Sequence, residues 1–185
     1  MGFMGFTDRE IFSLLHGMGM GALLLVVFPV VLGGLWFLRP EWVTGEVVKR
    51  YLAFLKIGAW IVSISAWLTV IIGSYVPYPW YRANPPAGAG PLIGLDTSNY
   101  PRSYLLADPH LAFWHNFGME WKEHLGWIVP ILTTTVAFLV TYYSIRLMDE
   151  PKVRKAAIVL FTIAFIAAAI SGFLGALITK LAPVR

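Results

Sequence analysis

Cysteine is absent from the 185-residue chain, and charged residues are scarce. Without cysteine the protein can form no disulfide, iron–sulfur cluster or thiolate nucleophile, and no thioether link to haem. Charged residues make up 13% of the chain, which is about half of what a soluble domain carries. Hydrophobic residues make up 58%, and the mean hydropathy is +0.70. This composition favours a membrane protein.

Four stretches contain no Asp, Glu, Lys or Arg: residues 11–38, 57–81, 125–145 and 156–179. Each has about 20 residues or more, enough to cross the hydrocarbon core as a helix. Since backbone polar groups in lipid must be satisfied internally, helices are the expected structure. We therefore predict an all-α integral membrane protein, a single domain with four transmembrane helices at about 8–38, 46–77, 109–147 and 151–181.

Local sequence signals mark several helix ends. Thr7 and Glu10 have the spacing of a capping box, and Pro40 should end the first helix. Asp108-Pro109 has the pattern of an N-cap followed by proline, which predicts the start of the third helix. A long loop, about 78–108, joins the second helix to the third, and loops of this length usually carry a function or cover something. Its tyrosines and aliphatic residues predict a packed cap: Leu92, Ile93, Tyr100, Tyr104, Leu105 and Leu106.

The distribution of charge predicts the orientation. The loops after the first and third helices carry eight basic and four acidic residues, whereas the opposite side carries six of each. The positive-inside rule then places both termini and the long loop outside, in the periplasm if the protein lies in a bacterial inner membrane. Although the calculated pI is near 9.4, the basic residues lie at helix ends, so we do not expect nucleic acid to be a partner.

All four histidines lie on the predicted outer side: His16, His110, His115 and His124. Histidine is rare in membrane segments and is a common axial ligand of b-type haem. His16 and His124 belong to different predicted helices at similar depth, as a bis-histidine haem requires, and Gly17 would leave room for a flat macrocycle. Alternatively, both are interfacial polar residues that bind water or a carbonyl group.

The other two histidines are expected to differ from this pair. His115 and His124 are nine positions apart, which puts them on opposite faces of a straight helix unless it breaks at Gly118. His115 could ligate a haem held higher under the cap, or face a partner. His110 is expected at the surface.

Charged residues surround His124. Glu120 lies one turn before it and could orient its imidazole or relay a proton, and Glu123 is a second candidate for proton transfer. Lys122 could pair with a haem propionate. Each could equally be one of the last solvated charges before the membrane.

The four-helix pattern with His16 and His124 resembles the small cytochrome b subunits that anchor bacterial respiratory complexes and exchange electrons with quinones. The resemblance implies haem b and a quinone site. The chain departs from anchors with two stacked haems, because it has no histidine near the cytoplasmic face.

These observations lead to one main hypothesis and two alternatives. The main one is an electron-transfer subunit with one haem near the outer face, working between membrane quinol and a periplasmic partner such as a c-type cytochrome or a larger complex. The first alternative is a cofactor-free structural or assembly subunit that docks other membrane subunits through the small residues of the fourth helix, Ala168, Gly172 and Ala176. The second is a metal-handling protein using His115, His124 and nearby methionines.

Overall fold

The computed structural model of the chain describes residues 5–88 and 97–182. Every regular element in these two ranges is helical, as predicted. Six helices position the features discussed below: α1 (Asp8–Phe37), α2 (Val47–Tyr75), α3 (Pro77–Tyr81), α4 (Pro101–Ala107), α5 (Trp114–Leu147) and α6 (Pro151–Leu181). Four segments are long and apolar enough to span a membrane, namely α1, α2 with α3, α5 and α6. The chain therefore has the character of a multi-pass membrane protein in contact with lipid.

The helix ends follow the local sequence with one exception. The capping box forms, because Thr7 Oγ1 accepts from the Glu10 amide at 3.2 Å and Glu10 Oε2 accepts from the Thr7 amide at 2.9 Å. The start of α5 is the exception, since it begins at Trp114 instead of about 109. Asp108 Oδ1 accepts from the His110 amide at 2.8 Å, so this segment forms a turn before the helix. The prediction of one long loop at about 78–108 is wrong in part, because the segment contains most of α3 and all of α4.

The spanning helices pack as neighbours around a bundle. Helix α5 lies between α2 and α6, and α1 packs against α2 and α6 from the other side. Phe28 and Phe161, both fully buried, join α1 to α6 with ring centroids 4.5 Å apart. The end of the bundle with the short loops is fastened by Arg154, whose Nη1 donates to the carbonyl groups of three residues, Leu38, Leu147 and Met148.

A second apolar cluster closes the opposite end. Tyr81, Leu105, Met119 and Ile178 are buried there, on α3, α4, α5 and α6. The prediction of a packed cap is confirmed for Leu105 and its neighbour Tyr104. It is wrong for Leu106, which is 40% exposed, because consecutive residues of a helix point in different directions. Leu92 and Ile93 lie outside the described residues.

Two π-helical turns lie near this capped end, one inside α1 and one at the start of α5. They cover Leu15–Met20 in α1 and Trp114–Met119 in α5. Each contains a histidine, His16 in the first and His115 in the second. Single π turns are rare in proteins, and many of those that occur lie at functional sites. This end of the bundle is therefore the candidate location of a site.

Candidate functional site

His16 packs its ring against α2. Its Nδ1 lies 2.8 Å from the carbonyl oxygen of Thr69, so the ring is held by a backbone acceptor. The ring also covers Gly73, where an added Cβ would contact Cε1 and lie 2.9 Å from Nδ1 and 3.1 Å from Nε2. Glycine at position 73 is therefore what allows the imidazole to lie here. Within the described part of the chain Nε2 makes no hydrogen bond.

Lys122 is turned toward α6 inside the bundle. Its stem lies over Gly175, where an added Cβ would be 2.9 Å from Cε and 3.8 Å from Nζ. The lysine charge acts electrostatically on His16 and on Glu123. Lys122 is thus half-buried, with its stem packed on α6.

His124 lies on the opposite side of α5 from Lys122. Two positions along a helix rotate the side chain by about 200°, and the His124 side chain is exposed. Its Nδ1 is 2.6 Å from the carbonyl oxygen of Glu120. The backbone of Glu120, and not its carboxylate, orients the ring. The structure does not bring His124 and His16 into one pocket, and the bis-histidine pair stays a prediction.

Glu123 is held in a chain of polar groups that leads to the end of the bundle. Its Oε2 accepts from the Tyr78 hydroxyl at 2.7 Å, and that hydroxyl oxygen accepts from Arg82 Nη1 at 2.6 Å. Its Oε1 is buried and has no partner within the described ranges. The second candidate carboxylate, Glu120, makes no side-chain hydrogen bond to a described residue. We call His16, Tyr78, Arg82, Lys122 and Glu123 together the polar cluster.

His115 is buried, and its ring nitrogens are both occupied. Nδ1 lies 2.9 Å from the hydroxyl oxygen of Tyr81, and Arg102 Nε donates to Nε2 at 3.4 Å. Because Nε2 accepts, Nδ1 carries the proton and donates to Tyr81. A metal could bind His115 only by displacing one of these partners. His115 and His124 face different directions even with the π turn at Gly118, and His110 is exposed as predicted.

Among the residues that the structure describes, no group of three or more His, Asp or Glu side chains is arranged to hold a metal ion. The metal-handling alternative therefore has no preformed site there. Gly17 is exposed, and apart from its two chain neighbours nothing lies within 4 Å of an added Cβ. This space is compatible with the predicted room for a flat group.

Sequence reasoning missed the residues that give the candidate site its geometry. Thr69, Gly73 and Gly175 carry no motif, and their roles arise from packing between helices that are distant in sequence. Tyr78 and Arg82 could have been suspected, because they lie at i and i+4 in an aromatic segment that directly follows a spanning stretch.

Comparison of the chain with protein families, with curated proteins and with solved structures finds no match.

Proposed function

We propose that the chain is a b-type haem-binding membrane subunit that passes electrons between membrane quinol and a periplasmic redox partner. The observation that carries the proposal is the state of the two candidate imidazoles. In both His16 and His124, Nδ1 lies against a backbone carbonyl oxygen, and Nε2 has no hydrogen-bond partner in the described residues. Metal-bound histidines have this arrangement, in which one nitrogen donates to a fixed acceptor and the other is left for the metal.

An imidazole nitrogen is a usual axial ligand of haem iron, and Nε2 of each histidine has no partner in the described residues. His16 is the ligand that would hold the group from α1, while His124 offers the same donor from the exposed side of α5. The two rings face different sides. We therefore expect replacement of His16 and replacement of His124 to change the visible spectrum of a bound haem in different ways. When bound, haem would supply one-electron transfer.

The polar cluster supplies a place for the protons that quinol oxidation releases. Glu123 has one carboxylate oxygen bonded to Tyr78 and a second, buried oxygen without a partner in the described part. Arg82 connects the Tyr78 hydroxyl to the exposed end of the bundle. Glu123 is thus better placed than Glu120 to accept a proton, and Lys122 could pair with an anionic group such as a haem propionate.

A reduced-minus-oxidised visible spectrum of the purified full-length protein tests the proposal. We expect a b-type haem signal that is lost or shifted in His16→Ala. His110→Ala is the matched control, because His110 is exposed and its ring holds no hydrogen bond in the described residues. A protein without a haem signal, or a His16→Ala variant with an unchanged one, would refute the proposal.

A cofactor-free structural subunit is the second candidate, and the outer face of α6 favours it. Gly172 and Ala176 are exposed, and an added Cβ at Gly172 would meet nothing within 4 Å. Ala168 packs partly against the core of this chain, whereas Gly172 and Ala176 leave room for a helix of another membrane subunit. Native mass spectrometry of the complex distinguishes the two candidates, since this one requires stable association without pigment.

A further inference from the structure

The end of the bundle remote from the polar cluster contains a groove between α1 and α6. Its volume is about 420 Å³, and its walls are formed by Pro29, Leu32, Gly33, Trp36, Ile158 and Thr162. The Thr162 hydroxyl donates to the carbonyl oxygen of Ile158 in its own helix at 2.8 Å, so the threonine presents no free donor. From Pro29 to Trp36 the groove extends roughly 10 Å along α1, about a third of the hydrocarbon thickness.

A cation with an unused donor lies beside one end of this groove. The Arg39 guanidinium is 5.3 Å from the ring centroid of Trp36, a groove residue, and 4.9 Å from that of Trp42. Its Nε is buried and has no hydrogen-bond partner in the described ranges. Arg39 is therefore held in place by aromatic rings while part of its hydrogen-bonding capacity is unused.

A second cation is brought to the same end by the fold. Arg154 of α6 donates to the carbonyl oxygen of Leu38 at 2.8 Å, which joins the start of α6 to the end of α1. Arg39 directly follows Leu38 in the sequence, and Lys155 directly follows Arg154. Lys155 is exposed, and it precedes Ile158 by three positions and Thr162 by seven, so it shares their helix face. The basic residues thus flank the end of an apolar groove.

We propose that this groove binds an anionic phospholipid, with one acyl chain between α1 and α6 and the phosphate at Arg39 and Lys155. Charge complementarity identifies the occupant. The guanidinium fork matches phosphate oxygens, and a lysine ammonium adds a second positive charge. The short loops at this end carry an excess of basic residues, and basic pockets between transmembrane helices bind anionic head groups. This site is independent of the haem proposal.

Native mass spectrometry of the full-length protein with equimolar phosphatidylglycerol and phosphatidylcholine tests the site. We expect the wild type to retain phosphatidylglycerol preferentially. Arg39→Gln should weaken phosphatidylglycerol binding by about tenfold, the effect of one charge-assisted hydrogen bond. Gly33→Leu should reduce binding of both lipids, because its side chain would occupy the groove, and position 33 has no atom within 4 Å of an added Cβ.

The matched control is Arg146→Gln, which removes the same charge from the same end of the bundle. Arg146 stacks on Tyr142 and Tyr143 and does not line the groove. Its replacement should leave phosphatidylglycerol binding unchanged. If Arg39→Gln lowers the folding yield, Lys155→Gln, at an exposed position, provides the charge test.

Three results would overturn the proposal. Equal retention of the two lipids by the wild type would show no recognition of the phosphate charge. Equal losses in Arg39→Gln and Arg146→Gln would show a general charge effect. Loss of self-association or of a protein partner in Gly33→Leu, with phosphatidylglycerol binding intact, would show that the groove holds a helix.

Discussion

Replacing Gly73 with alanine should disturb His16 directly, because an added Cβ would lie inside the contact distance of the imidazole ring. Overpacking of this kind costs about 1–3 kcal/mol. Displacing the ring also breaks the 2.8 Å bond to the Thr69 carbonyl, worth about 1 kcal/mol. The better helix propensity of alanine offsets about 1 kcal/mol. We therefore expect Gly73→Ala to lower the free energy of unfolding by roughly 1–3 kcal/mol.

Thermal unfolding of the purified protein in detergent, followed by circular dichroism, measures this effect. Gly172→Ala is the matched control, because it makes the same change in a spanning helix at a position with open space. Only the propensity term applies there, so its stability should be unchanged or higher by up to about 1 kcal/mol. If the Gly73 and Gly172 variants unfold at the same temperature, the imidazole does not pack against α2 as described.

Three further substitutions test contacts on which the account depends. Arg154→Ala removes a guanidinium that binds three backbone carbonyl groups, and we expect a loss of about 1.5–3 kcal/mol in thermal unfolding. Tyr78→Phe leaves Glu123 without its hydroxyl donor. We expect the free energy of unfolding to fall by about 1–3 kcal/mol, measured by the same thermal unfolding. Thr134→Val removes the acceptor of the Trp67 indole N–H at 2.9 Å, and about 0.5–2 kcal/mol should be lost, as is typical of hydrogen bonds between helices in membranes.

Each of these variants has a control of the same chemistry. Lys152→Ala removes an exposed cation from the start of α6, and Tyr142→Phe alters an exposed tyrosine. Thr135→Val changes an exposed threonine whose hydroxyl, among the described residues, bonds only its own helix. The controls should unfold within about 0.5 kcal/mol of the wild type. If a control is as destabilised as the variant it is paired with, the loss of stability does not come from the named contact.

The four spanning helices could be predicted from the sequence because hydrophobic length and the absence of charge are local properties. The start of α6 at Pro151 and the capping box at Thr7 were predictable for the same reason. The π turns were not, because the change in hydrogen-bond register carries no residue signature. The histidines within them have different surroundings: in the described residues His16 has no bond at Nε2, whereas both ring nitrogens of His115 are bonded.

Only the candidate residues, and not their contacts, could be predicted from the sequence. The choice of His16 as a candidate ligand follows from its position in an apolar helix and stays a prediction, whereas the different directions of His115 and His124 follow from helical phase. The inward direction of Lys122 could have been inferred from its spacing of four from both Gly118 and Gly126, which share the packed face of α5. The contacts with Thr69, Tyr78 and Gly175 depend on which helices are neighbours in space, and a single sequence does not contain that information.

We propose that His16 presents Nε2 to a bound haem. The most direct test is the reduced-minus-oxidised visible spectrum of the full-length protein, recorded for the wild type, His16→Ala and His110→Ala at equal protein concentration. We expect a b-type signal in the wild type and in His110→Ala that is lost or shifted in His16→Ala. A wild-type protein with no such signal, or three identical spectra, would contradict it.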